Sequence, residues 1–133
     1  MQLKWDSSLD IQVPDMNDEH KVLIDMMNRL LERNEAKAAK SEIKKLLNDF
    51  VAYALKHFSD EEAYMAQIKF PGLEVHKLVH KRLVEKLTMY ARDFDEKQER
   101  LPTEFFNFLH FWLVSHIKGI DMQYGHFSRG KAA

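Results

Sequence analysis

The amino-acid sequence predicts an all-α protein, an up-down-up-down antiparallel four-helix bundle with an extended N-terminal arm. Apolar residues recur at positions i, i+3, i+4 and i+7 through four long segments, which is the spacing of an amphipathic helix. The breaks between these segments are short, so consecutive helices are expected to be antiparallel. Four Gly and three Pro in 133 residues are too few for a loop-rich β protein, and this length suits a single domain.

Proline, glycine and helix-capping residues mark the ends of the predicted elements. Alternating apolar residues that stop at Pro14 indicate an extended arm, and Asn17, followed by two acidic residues, is the predicted cap of the first helix. Pro71 and Gly72 make the strongest break, and Pro102 suits the first turn of the last helix. We expect the arm at 1–16, helices at 17–35, 41–68, 73–96 and 102–119, and a C-terminal segment at 120–133 that frays from residue 129.

Composition excludes several classes of function. Twenty Lys and Arg against 21 Asp and Glu leave a formal charge of −1, without the basic excess of a nucleic-acid-binding face. The absence of Cys excludes disulfide scaffolds, zinc–thiolate sites, iron–sulfur clusters and thiol catalysis. Because the sequence has neither an apolar run of about 18 residues nor an apolar leader, we expect a cytoplasmic protein that does not enter membranes.

Polar residues interrupt the apolar stripe of every predicted helix. A buried, unpaired carboxylate such as Glu61 is costly, so it must be protonated, paired or bound to a cation. No Lys or Arg lies on the same stripes, which favours the cation. Taken singly, each histidine is more typical of a hydrogen-bonded core residue, so the prediction depends on their convergence. The residues concerned are His20, His57, Glu61, His76, His80 and His116.

Antiparallel alternation brings these residues to one end of the bundle. His20 begins the first helix, His57 and Glu61 lie late in the second, His76 and His80 begin the third, and His116 ends the fourth. Asp121 follows His116 by five residues, which on an undistorted helix places it about 140° away. We expect Gly119 to end or distort the helix so that Asp121 turns inward.

In the type and spacing of these residues, the sequence resembles the hemerythrins, in particular the bacterial group. The resemblance extends from Trp5 to Tyr124, and all seven expected ligand positions carry the expected residue type. The motifs are Asp18-Glu19-His20-Lys21, His57-Phe58-x-x-Glu61-Glu62, Phe70-Pro71, His76-x-x-x-His80, Trp112-Leu113-Val114-Ser115-His116-Ile117 and His116-x-x-x-x-Asp121.

The resemblance implies a non-haem di-iron centre that binds O2 reversibly. His76, His80 and His116 would hold one iron, while His20 and His57 would hold the other. Glu61 and Asp121 would bridge both irons, together with an oxo or hydroxo group. Counting ligands leaves a vacancy only on the iron held by His20 and His57, where O2 would bind. The expected walls of the O2 pocket are Leu23, Phe58, Trp112 and Leu113, each of which ordinary core packing would equally explain.

Several other residues and roles are interpreted alongside this site. Glu62 is expected to face solvent, His110 and His126 to lie outside the ligand set, and Tyr124 to have no chemical role. The predicted activity is O2 carriage, storage or delivery rather than catalysis, with an O2-consuming client protein as a partner. The alternatives are an O2 or redox sensor acting through a separate partner, and a di-iron enzyme handling O2, peroxide or nitric oxide. Balanced charge and the lack of an evident outward apolar stripe favour a monomer.

Overall fold

The computed structural model describes residues 2–132, with side chains through residue 130, and it confirms the predicted all-α four-helix bundle. Short connections join the four long helices, so each runs antiparallel to the next in the chain. The described residues contain no strand. The elements are a 3₁₀ turn at Ser7–Leu9, α1 at Pro14–Glu35, α2 at Lys40–Gln67, α3 at Leu73–Lys97, α4 at Thr103–His116, a π turn at Ile117–Asp121 and α5 at Met122–Ala132.

The arm is shorter than predicted, because α1 begins at Pro14 and not at Asn17. Proline suits the first turn of a helix, since its missing N–H would have had no partner there. Asn17 lies inside the helix, where its side chain accepts a hydrogen bond from the Ile11 N–H at 3.1 Å and donates one to Asp10 Oδ1 at 2.7 Å. The amide that was predicted to cap the helix therefore holds the arm against the bundle.

Helices α1 and α2 end in the same way. After α2, the N–H of Phe70 bonds to the carbonyl of Met65 and that of Lys69 to the carbonyl of Ala66, which is the Schellman pattern. Lys69 adopts a left-handed conformation with φ of 58°, and Lys37 does the same after α1 with φ of 59°. Helix α2 therefore spans Lys40–Gln67, where 41–68 was expected. Helix α3 runs to Lys97, one residue beyond its expected end at residue 96.

The C-terminal segment, expected to fray from residue 129, is helical through Ala132 among the described residues. The chain continues from α4 through a π turn into α5, which runs to Ala132, and Ala133 lies outside the described residues. Burial holds the first turn of α5 in place: Tyr124 is fully buried, and Gly125 packs directly on the main chain of Ile11 in the arm. The two ends of the chain therefore cover the same end of the bundle.

The apolar stripes face the interior, but the surface is less polar than the sequence indicated. Large apolar side chains are exposed on each of the four long helices, and Phe111 on α4 is 71% exposed. No helix among residues 2–132 is long and apolar enough to span a bilayer. The exposed large apolar residues are Val22, Leu55, Val75, Leu78, Met89 and Phe111.

Candidate metal centre

The seven predicted ligands lie together inside one end of the bundle. All are buried, at most 7% exposed, and their nitrogen and oxygen atoms form two groups that share both carboxylates. Within each group the ligand atoms lie within 4.8 Å of one another. The first group contains Glu61, His76, His80, His116 and Asp121, and the second contains His20, His57, Glu61 and Asp121.

Helical spacing explains most of this convergence. His57 and Glu61 on α2, like His76 and His80 on α3, are four residues apart and share a face. Asp121 turns inward through a distortion of the helix around Gly119, which is one of the two routes expected. A π turn at Ile117–Asp121 widens the helix without ending it, so that Asp121 Oδ1 lies 3.0 Å from His116 Nε2. A Cβ atom at Gly119 would meet no atom within 4 Å, so the turn does not need glycine for space.

Glu61 lies between the two groups of histidines. Its Oε1 is 3.0 Å from Nε2 of His80 and 3.8 Å from Nε2 of His76. Its Oε2 is 3.4 Å from Nε2 of both His20 and His57. One carboxylate oxygen therefore faces each group.

Asp121 repeats this arrangement from the other side of the cluster. Its Oδ1 is 3.0 Å from Nε2 of His76 and from Nε2 of His116. Its Oδ2 is 3.1 Å from Nε2 of His20. Both carboxylates are thus placed to bridge two cations, one surrounded by three histidines and the other by two.

The buried polar atoms of the cluster fit metal ions better than they fit one another. Although several of these contacts are close, many of the atoms have no hydrogen bond among the described residues. Buried polar groups are normally hydrogen-bonded, and leaving them unpaired is costly. Cations between imidazole and carboxylate donors would satisfy them. The atoms are Glu61 Oε1, both Asp121 carboxylate oxygens, and Nε2 of His76, His80 and His116.

The charges of the metal-free cluster compensate one another. Burial opposes a charge on His57, but the Glu61 carboxylate and a hydrogen bond to Glu19 outweigh it and raise the pKa of His57 to about 10. Burial also opposes ionisation of Glu61, yet the His57 imidazolium and neighbouring histidines hold the Glu61 pKa well below its ordinary value. Without metal, the proton on His57 therefore compensates part of the buried negative charge.

Comparison with known proteins agrees with this geometry. The family model described as "Hemerythrin HHE cation binding domain" matches residues 12–126, most of the chain. The chain belongs to the hemerythrin family. A myohemerythrin of Riftia pachyptila is 33% identical over 120 residues, which cover 90% of this chain and 88% of that protein.

Other hemerythrins support the same assignment. A bacteriohemerythrin of Methylococcus capsulatus is 31% identical over 109 residues, which cover 82% of each chain. The solved structure of a wild-type hemerythrin superimposes with a TM-score of 0.86 at 28% identity, covering 94% of this chain and 96% of that one. The resemblance seen in the sequence is thereby confirmed, as is the four-helix bundle.

Two residues around this hemerythrin cluster differ from the sequence-based expectation. Glu62, expected to face solvent, is only 28% exposed and accepts a hydrogen bond from His80 Nδ1 at 2.8 Å. Tyr124, given no role, is fully buried and donates a hydrogen bond to Glu61 Oε2 at 2.6 Å. Both contacts join different helices, and no spacing within the sequence indicates them.

Sequence reasoning also missed Glu19, whose carboxylate accepts a hydrogen bond from His57 Nδ1 at 2.7 Å. The available signal was its position directly before His20. Neither His110 nor His126 joins the two groups of ligand atoms: His110 is half-buried and His126 is exposed. The structure therefore brings together the seven predicted residues and surrounds them with three hydrogen-bonding side chains.

The four residues expected to line an O2 pocket are all buried, but two of them lie closer to the three-histidine group than expected. Phe58 stacks on the His80 ring with centroids 4.1 Å apart, whereas its distance to the His57 ring is 5.9 Å. Trp112 lies 5.7 Å from Phe58 and 6.5 Å from the His116 ring. Leu23 and Leu113 are each one helical turn from a histidine of the cluster, His20 and His116.

We expect metal loading to release protons. A metal-bound imidazole nitrogen carries no proton, and the pKa of His57 is raised to about 10, so binding near pH 7 must displace its proton. Apparent metal affinity should consequently rise as the pH increases towards about 10. Anaerobic titration with Fe²⁺ in a weakly buffered indicator dye measures the release. Loading near pH 7 without proton release would contradict the charge state described above.

Proposed function

We propose that this hemerythrin-family chain binds O2 reversibly at a non-haem di-iron centre and acts as an O2 carrier, store or delivery protein. When bound, two irons with an oxo or hydroxo bridge supply the electrons and the open position that reversible O2 binding requires. The observation that carries the proposal is the orientation of Glu61 and Asp121, each of which turns one carboxylate oxygen towards each group of histidines.

The unequal number of histidines determines where a small ligand enters. With two shared carboxylates, one metal position is offered five protein ligands and the other, beside His20 and His57, is offered four. The position with four protein ligands leaves more room for an external ligand. We therefore assign O2 binding to the iron held by His20 and His57.

The chain's own residues supply a dry and ordered environment for this position. Leu23 and Leu113 are buried beside the ligand-bearing turns of α1 and α4, where apolar side chains exclude water. Tyr124 donates a hydrogen bond from its hydroxyl group to Glu61 Oε2, which keeps that carboxylate in place between the two groups. Exclusion of water protects a reversible ligand from loss to external protons.

A binding role agrees better with the donor set than an enzymatic role does. Five imidazoles and two carboxylates surround the centre, whereas di-iron oxidases of the ferritin-like class use carboxylate-rich sites with paired Glu-x-x-His motifs. We propose a cytoplasmic monomer that delivers O2 to an O2-consuming client protein. A sensor role through a separate partner, or turnover of O2, peroxide or nitric oxide, is the alternative that the following experiment distinguishes.

The test is the iron content together with the visible spectrum of the anaerobically reduced protein, recorded before O2, after O2 and after its removal. We expect two irons per chain and a coloured band that appears with O2 and bleaches when O2 is withdrawn. The control is His126→Ala, which removes an exposed histidine outside the cluster and should leave both readings unchanged.

The other outcomes have separate meanings. Two irons that pass directly to a permanent ferric spectrum would contradict reversible binding and favour a sensor or an oxidase. Failure to bind iron after anaerobic reconstitution would exclude the di-iron site itself.

A further inference from the structure

Two carboxylates outside the ligand set hold histidines inside it. Glu19 on α1 lies 2.7 Å from His57 Nδ1 on α2, and Glu62 on α2 lies 2.8 Å from His80 Nδ1 on α3. In both histidines the other nitrogen, Nε2, points at Glu61. With Nε2 facing the metal position, Nδ1 is the protonated nitrogen and donates to the outer carboxylate.

The two carboxylates are divided evenly between the metal positions. His57 belongs to the two-histidine group and His80 to the three-histidine group, so each position has one histidine anchored by a negative charge. His20, in contrast, has a buried Nδ1 without a hydrogen bond among residues 2–132. The anchoring is therefore selective and is not a general feature of the cluster.

Each of the two outer carboxylates is next in the chain to a candidate metal ligand. Glu19 precedes the candidate ligand His20, and Glu62 follows the candidate ligand Glu61. Adjacent helical residues point about 100° apart, so one side chain enters the cluster while the next reaches a ligand on the adjoining helix. Lys56 Nζ lies 3.7 Å from Glu19 and partly balances its charge.

We propose that Glu19 and Glu62 are positioning residues that tune the two irons separately, Glu19 through His57 and Glu62 through His80. The inference rests on the proposed di-iron function. A carboxylate that accepts the Nδ1 proton makes the imidazole a stronger electron donor and fixes its tautomer and orientation. A stronger donor stabilises ferric iron relative to ferrous iron. Because the external ligand enters beside His57, Glu19 also weakens the attraction of that iron for an added anion.

The experiment compares Glu19→Gln and Glu62→Gln, which keep the side-chain shape and remove the charge. Asp49→Asn is the control for Glu19, because Asp49 is an exposed carboxylate on the same helix as His57 and pairs with Lys45 at 2.8 Å. Glu85→Gln is the control for Glu62, because Glu85 lines the same surface cavity. Three readouts are measured: the midpoint potentials of the two iron oxidation steps, the rate of iron loss to a chelator, and azide affinity of the diferric protein.

We expect both glutamine variants to bind two irons, to have more positive midpoint potentials and to lose iron about 10–100-fold faster than the parent. Azide should bind more tightly to Glu19→Gln, with a smaller change in Glu62→Gln. The two controls should stay close to the parent in all three readouts, since each removes a surface charge without removing a hydrogen bond to a candidate histidine ligand.

Potentials and azide affinities in the glutamine variants that match those of their controls would overturn the inference while leaving the di-iron function intact. Equal azide responses in Glu19→Gln and Glu62→Gln would overturn the assignment of one carboxylate to each iron. A parent protein that holds no iron would overturn both the inference and the proposed function.

Discussion

Replacing Glu61 by alanine is expected to abolish the binding of both irons. Glu61 belongs to both groups of ligand atoms, and its two oxygens lie 3.0–3.4 Å from the nearest histidine nitrogens of each. In the metal-free protein the same change leaves the buried, charged His57 without a principal partner. Breaking a buried ion pair in this way costs about 3–5 kcal/mol. Iron analysis after anaerobic reconstitution and urea unfolding of the metal-free protein measure the two effects.

Glu61→Gln separates charge from shape in this experiment, because it keeps the side-chain volume and still accepts the Tyr124 hydrogen bond. We expect it to fold but to bind less than two irons per chain. Glu85→Ala removes an exposed carboxylate from the adjoining surface and should retain both irons. Two irons with the parent spectrum in Glu61→Ala would contradict the assignment of Glu61 as a bridge.

Gly125→Ala is expected to destabilise the protein by about 1–3 kcal/mol, because the added methyl group overpacks a close contact. A Cβ at residue 125 would overlap the main-chain carbonyl oxygen of Ile11, which belongs to the fully buried part of the arm. Backbone cannot give way as a flexible side chain does, so either the arm or α5 must shift. Tyr124 adjoins this contact, and we expect iron to be lost faster as well.

The matched control is Gly130→Ala, the same substitution in the same helix. A Cβ at residue 130 meets no atom within 4 Å, and alanine suits a helix better than glycine, so stability should stay equal or rise. Urea midpoints and limited proteolysis of the arm compare the two variants. Equal midpoints for Gly125→Ala and the parent would show that the arm does not pack on α5 in solution.

Periodicity within single helices predicted most of the interior. Residues four apart, such as His57 and Glu61, share a helix face whatever surrounds them, and antiparallel order then brings the polar ends together. The contacts of Glu19, Glu62 and Tyr124 depend instead on the distances between helices, which no spacing along the chain encodes. Their hydrogen bonds to ligands consequently became visible only in the structure.

The ends of elements were harder to predict than their faces. Asn17 is a typical cap residue, but its amide holds the arm, and Pro14 begins the helix. Asp121 was expected to turn inward where the helix ends or distorts at Gly119, and the structure achieves this by a π turn within a continuous helix. At the start of α1 and at the turn before Asp121, contacts with distant parts of the chain select one of the local conformations that the intrinsic preferences of the residues allow.

The shared carboxylates have a consequence for assembly of the centre. Since Glu61 and Asp121 each reach both candidate metal positions, the first ion to arrive would also order two of the ligands for the second. If two ions bind as proposed, the second meets groups whose conformational entropy has already been lost, which favours its binding. We therefore expect loading to be cooperative, with chains that carry a single ion scarce compared with those that carry none or two.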